Sequence, residues 1–305
     1  MKDHHLKAWL SLVETGSIRG AARSLHLSQA AITKAIRELE QDLDAPLIVR
    51  SSRGVILTEC GDQLTMRVRL AQAQFELARQ DIRQLQGGKE AHVSVAVTPT
   101  IYVSLLPDVI DAFRKRMPLA ELNLEEGMMP LVLPALRDGS IDFAVAAPAH
   151  QALAPEFSFE PLQTLEMIVG CRPGHPLAKA TEWEQLLDCE WLMHLAPGSH
   201  HTDMVGQLQR DGIPVPQRII TTNSFGVTWN LMTRSDALLS CPAAWLNVQP
   251  YAQQVIRVPL RMPLPSITLG ILSLRDTPLS LAAETMAELF RREIAAHGKK
   301  LATGG

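Results

Sequence analysis

The chain has 305 residues, 46% hydrophobic and 20% charged with a formal net charge of −3, which is enough for two or more domains with their own cores and excludes a disordered chain. No window offers the roughly 18 uninterrupted apolar residues of a membrane span, and the charged start MKDHHLKAWLSLVE lacks the apolar core of a secretion signal, so a cytoplasmic protein with no membrane partner is expected. Residues 1–58 carry eight basic groups against six acidic ones while residues 91–305 carry 16 against 21, so the basic end is the front, by a margin too small to name nucleic acid as a partner.

The first sixty residues predict three short helices. Leu6, Trp9, Leu10 and Val13 recur at helical spacing, and Gly16 can stop that helix in a left-handed conformation. Ser17 caps a second helix with Ile18, Ala21, Ala22 and Leu25 inside, and Ser28 caps a third. On the third helix Ile32, Ala35, Ile36, Leu39 and Leu43 share one face, while Gln29, Ala30, Thr33, Lys34 and Arg37 share the other. Donors, acceptors and small side chains on one exposed face suit a DNA groove, and Ser28 at the helix start suits a phosphate. An ordinary solvated helix would look much the same, so the segment after it decides between the two. Pro46 ends the helix, residues 47–50 and 55–57 read as strands, and 51–54 as their turn. That hairpin is a wing with Arg50 and Arg53 near its tip, placed for a phosphate backbone or a minor groove.

The stretch GSIRGAARSLHLSQAAITKAIRELEQDLDAPLIVRSSRGVILTECG resembles the LysR-type transcriptional regulators. The resemblance implies a winged helix-turn-helix that binds a double-stranded operator, with Ser28, Gln29, Ala30, Thr33, Lys34, Arg37, Arg50 and Arg53 as its DNA contacts. Ala30 stands where family members usually have proline, and Lys34 where they often have arginine. A lysine reads guanine less rigidly than a bidentate arginine, so the family's base preference does not transfer.

Thr58 can cap a helix reaching Leu85 before the stop Gly87-Gly88. Leu64, Val68, Ala71, Phe75, Ala78, Ile82 and Leu85 are spaced alternately four and three apart, a heptad seam along the whole segment. At 1.5 Å per residue the helix spans roughly 40 Å, too long for a small domain to cover. Packing on a neighbouring domain is one outcome; the 3.5 period favours a partner helix, and the resemblance implies the same helix of a second subunit, with pairing of dimers into tetramers.

From Ala91 strands and helices alternate. Strands are predicted at 93–97, 122–124, 141–145, 167–169, 191–194, 218–222, 237–240, 255–258 and 266–272. Helices are predicted after Ser104, at 130–137, behind a capping box at Thr181–Glu184, and at 281–294. The resemblance implies an α/β regulatory domain of two lobes, like the periplasmic binding proteins, with the chain crossing between lobes twice. The expected division is 1–58 for DNA binding, 59–88 for the linker helix and 89–305 for the regulatory domain. Within the last, lobe I is 91–162 with 266–305, and lobe II is 163–265.

No P-loop, GxGxxG, GxSxG or HExxH is present, so neither an enzyme nor a cofactor is expected. The pairs His4-His5 and His200-His201 lack further ligands at suitable spacing, and no metal is expected. The four cysteines, Cys60, Cys171, Cys189 and Cys241, have no zinc-type spacing and read as ordinary reduced thiols. Ligands of α/β sheets sit at strand C-termini, where loops feed helices. That points to Thr98-Pro99-Thr100, where the family often places effector-binding hydroxyls, and across a cleft to Ser199, His200 and Phe225. Met128 and Met129 read equally as core or as pocket lining. Such a lining suits a small anion with an apolar or aromatic body, although Thr98 and Ser199 also read as turn and cap residues. The stretch EEGMMPLVLPALRDGSIDFA looks like its counterpart in regulators of aromatic sulfonate breakdown. The expected function is an effector-controlled repressor or activator, with RNA polymerase as a further candidate partner. The alternatives are a thiol sensor of the same family, which would pair Cys171 with Cys189, and an enzyme or solute binder on the same two-lobe fold.

Overall fold

The computed structural model describes residues 1–51, 54–88, 90–148 and 153–302. The chain forms two compact units, residues 1–79 with 137–140, and residues 80–136 with 141–305.

In the first unit, α1 (Asp3–Thr15), α2 (Ile18–Ser24) and α3 (Gln29–Leu43) close around Trp9, Leu12, Ala21, Ile32, Ile36 and Leu39, all at most 2% exposed. Each local signal acts as its chemistry requires. Gly16 takes φ +65° and ends α1, a conformation that costs other residues a Cβ clash. Ser17 and Ser28 accept the Gly20 and Ala31 N–H groups at 3.0 and 3.1 Å. Leu43 departs from the expected core face: at the last turn of α3 the partner helices have ended, and it is 37% exposed. Glu40 explains the next turn, since its carboxylate accepts the Leu47 N–H at 2.9 Å and holds the start of the wing. The wing pairs β1 (Ile48–Ser51) antiparallel with β2 (Gly54–Leu57). Thr58 then caps α4 (Glu59–Leu85) through the Gly61 N–H at 3.1 Å. Leu64 and Val68 of α4 pack into this core, and Trp9 Nε1 donates to Thr65 Oγ1 at 3.1 Å. Beyond Val68 the seam residues Phe75, Ile82 and Leu85 are exposed.

The second unit is built on two five-stranded mixed sheets. The first has the order β4 (Glu121–Glu126), β3 (His92–Val97), β5 (Phe143–Ala146), β12 (Ile267–Leu274), β6 (Phe157–Leu165). Strands β4, β3 and β5 are parallel, whereas β12 runs antiparallel to both neighbours. Val93, Val95 and Val97 face one layer, α6 (Leu106–Arg116) and α10 (Leu281–Ala302); Ala96 faces the other, α7 (Met129–Asp138). That two-residue alternation is the strand period at work. The second sheet has the order β11 (Ile256–Arg257), β7 (Met167–Cys171), β10 (Leu238–Pro242), β8 (Glu190–Met193), β9 (Arg218–Thr221). Its covering helices are α8 (His200–Arg210) and α9 (Phe225–Arg234), and β8 lies parallel to both its neighbours. The chain passes from the first sheet to the second after β6 and returns at β12, the two crossings of a two-lobe α/β domain.

Three elements differ from the sequence expectation. Strand β6 is a nine-residue edge strand carrying Pro161, a residue that demotes a strand by pattern yet is tolerated at a sheet edge. It carries the first sheet through Leu165, beyond the expected lobe boundary at 162. The helix expected after Ser104 is two helices, because α5 (Pro99–Ser104) begins immediately behind β3. The capping box lies one residue later, between Glu182 and Gln185, and introduces only a 3-10 turn, Trp183–Leu186.

Candidate functional site

The face of α3 opposite the core presents Ser28, Gln29, Ala30, Lys34 and Arg37, all exposed, together with the half-buried Thr33; the Lys34 side chain is 77% exposed. The Ser28 hydroxyl is engaged as the cap. Lys34 Nζ lies 3.7 Å from Glu38, a loose exposed pair that a phosphate or base can replace. Glu38 itself turns inward, taking His5 Nε2 at 2.9 Å and tying α1 to α3. Arg50 lies in β1, and Arg53 falls outside the described residues.

Thr98, Pro99, Thr100, Met128, Met129, Ser199, His200 and Phe225 all line one cleft in the second unit, between its two sheets. Its volume is about 180 Å³. The first residues of α5, α7, α8 and α9 all line it, so four positive helix ends converge there. The backbone floor is tight: a Cβ on Gly127 would lie 2.8 Å from the Val97 carbonyl carbon, so only glycine lets β3 and the α7 loop approach this closely.

Residues the sequence did not assign to the cleft contribute much of its polar chemistry. Glu126, His194, His201 and Trp245 also line the cleft. Seven buried side-chain polar atoms lack a hydrogen-bond partner among the described residues, and four of them are here: Thr98 Oγ1, His194 Nε2, His201 Nε2 and Trp245 Nε1. Each such atom costs about 1–3 kcal/mol unless something else satisfies it. The His201 donor is the least free of the four, since the Ser240 carbonyl offsets part of its burial. His201 Nδ1 accepts the His194 N–H at 3.1 Å, which assigns its proton to Nε2 when neutral. Ser199 lines the cleft with its hydroxyl engaged inside the fold. Its hydroxyl donates to the His194 carbonyl at 2.6 Å and accepts the Thr202 N–H at 3.2 Å, leaving little for a ligand. Glu126 accepts the Phe225 N–H at 3.2 Å, linking the edge of the first sheet to the start of α9.

Burial lowers the pKa of His200 to about 4, and burial with the neighbouring His200 lowers His201 to about 3. The unfolded value is 6.5, so below it the unfolded chain binds more protons than the folded one, and stability falls as the pH falls. The His200 contribution is complete above about pH 6.5 and lost progressively down to about pH 4. Between about pH 7.5 and 5 it amounts to roughly 2 kcal/mol. Urea unfolding of His200→Gln is therefore expected to lose about that much less than the unmodified protein over this interval. Equal acid losses in both would exclude a buried neutral His200.

All four cysteines are free; Cys171 and Cys241 are buried and Cys189 is half-buried. Burial raises the thiol pKa of Cys171 to about 11 and of Cys241 to about 12, and raises that of Cys189. No third ligand joins His4-His5 by spacing, but packing brings Glu38 to them, with ligand atoms within 4.8 Å of one another. Among the described residues His200-His201 is not part of such a cluster, and no helix is long and apolar enough to cross a membrane.

Two family descriptions match the chain: "Bacterial regulatory helix-turn-helix protein, lysR family" over residues 4–62, and "LysR substrate binding domain" over residues 86–295. The regulator TdcA of Escherichia coli is 25% identical over 95% of this chain and 92% of its own length. Among solved structures, a full-length OxyR from Pseudomonas aeruginosa shares the fold with a TM-score of 0.67 at 22% identity, covering 95% of each chain. LysG from Corynebacterium glutamicum, solved with bound effector Arg, gives 0.67 at 18% identity, covering 97% of this chain and 99% of its own. With its helix-turn-helix, its two-lobe α/β domain and both matches in register with them, the chain belongs to the LysR family of DNA-binding transcriptional regulators that carry an effector-binding domain.

Proposed function

We propose that the protein switches transcription in response to a small organic molecule bearing an anionic group and an apolar or aromatic body, bound in the cleft between its lobes. The observation that carries this reading is the convergence of three unpartnered buried polar atoms, on Thr98, His194 and Trp245, with the starts of four helices on one cavity. Met128, Met129, Met167 and Met193 supply its apolar wall, and methionine adapts to irregular shapes. It acts in the cytoplasm, where its operator is, as a dimer through the exposed α4 seam, and dimers pair into tetramers. Contact with RNA polymerase would follow at a promoter-proximal operator. Burial holds the Cys171 and Cys189 thiols protonated, which weighs against the thiol-sensor alternative.

The test is Thr98→Val. The swap keeps the shape and removes a hydroxyl whose oxygen is buried without a partner. In the empty protein this relieves a penalty, so the melting temperature should hold or rise. Response to the effector should weaken by about 1.5–3 kcal/mol if the hydroxyl meets a charged group. Thr100→Val should weaken it less, since the Thr100 hydroxyl is not among the unpartnered buried atoms. Calorimetric titration of the full-length protein with aromatic carboxylates, sulfonates and amino acids reads the effect. Undiminished affinity in both variants would make the threonines purely structural and move the site elsewhere.

A further inference from the structure

The charge inventory of the cleft does not suit a simple anion. Among the described residues no lysine or arginine lines it, and the single lining residue with a formal charge at neutral pH is Glu126. A purely anionic ligand would face that carboxylate with no cation to offset it. A simple amine would pair with Glu126 but leave the Thr98 hydroxyl and the Trp245 N–H without an acceptor. One ligand chemistry meets both demands.

We propose that the cleft takes a zwitterion, a small apolar α-amino acid, with its ammonium on Glu126 and its carboxylate on the Thr98 hydroxyl, the Trp245 N–H and the start of α8. This rests on the reading of the cleft as the effector site and names its ligand class.

Glu126 has the capacity for this role. Of its roughly four acceptor positions, one takes the Phe225 N–H at 3.2 Å. The Tyr102 hydroxyl stands against the same carboxylate, whose charge adds to burial in raising the tyrosine pKa well above its usual value. An ammonium has three donors to direct at the positions that remain. On the anionic side, Trp245 is 5% exposed and its Nε1–H is unpartnered among the described residues. His200 and His201, the first residues of α8, a helix of 11 residues, line the cleft and bring its positive end to it. The methionine wall fits an unbranched, branched or aromatic side chain, and a cavity of about 180 Å³ limits the ligand to a small one.

Isothermal titration of the full-length protein with L-leucine, L-methionine and L-phenylalanine, each beside its desamino carboxylate (isocaproate, methylthiobutyrate and hydrocinnamate), decides the matter. At least one amino acid should bind roughly ten- to hundredfold tighter than its desamino partner, the range set by one charge-assisted hydrogen bond. Glu126→Gln should erase that preference by weakening the amino acid and sparing or strengthening the carboxylate, and Glu126→Asp should restore part of it. A desamino acid that binds as tightly as its amino acid overturns the zwitterion while leaving the cleft as an anion site. Binding of aromatic sulfonates with no amino acid bound does the same. If no member of any series binds, both the ligand class and the effector cleft are wrong; a preference that survives Glu126→Gln removes Glu126 from its role.

Discussion

The Lys34→Ala, Arg37→Ala double variant is expected to lose at least about a hundredfold in operator affinity while remaining folded. Both side chains lie on the outer face of α3, and the opposite face of that helix is core, with Ile32 and Leu39 fully buried. Removing them leaves no cavity and no unpaired buried group. The ion pair surrendered, Lys34 with Glu38, is exposed and 3.7 Å long, so its loss barely touches stability. Each contact to a base edge contributes roughly 1–3 kcal/mol, and two together reach a hundredfold. Footprinting and mobility shifts over a salt series read this directly. Any lost contact that went to a phosphate also lowers the salt slope by about one counterion. An unchanged footprint with a native circular dichroism spectrum would mean that another element, the wing above all, reads the operator.

Phe75→Glu is expected to convert the protein to monomers and, with them, to abolish high-affinity operator binding. Phe75 is 69% exposed in the single chain, on the same seam as Ile82 at 56% and Leu85 at 78%. The substitution is therefore harmless to the isolated protomer, and its whole cost falls on the interface. There a carboxylate from each subunit must leave water, at several kcal/mol unless it is paired, and the two like charges sit against one another. A monomer presents one recognition helix to an operator of two half-sites, so affinity falls with the dimer. Sedimentation of the variant as an intact dimer would put the main interface elsewhere, between regulatory domains.

What the sequence determined by itself was every feature written within a few residues or in a strict period. Gly16, Ser17, Ser28 and Thr58 each act on a backbone group at most four positions away, so helix ends could be read without knowing the fold. The α4 seam was legible because a heptad period needs no partner in view, and the wing because a Pro-bounded hairpin is a local structure. What only the tertiary structure decided was whatever depends on distant chain. Glu126 and Phe225 meet across 99 residues, Arg275 closes on the Pro155 carbonyl across 120, and β6 becomes a strand because β12 is there to pair with it. His194, His201 and Trp245 carry no pattern that separates a cleft donor from an ordinary core residue. The fold makes them distinctive by burying their nitrogens while withholding partners. Spacing can prescribe a hydrogen bond along a helix; it cannot prescribe one that is left unmade, because that depends on which surfaces the lobes bring together and what they leave room for between them.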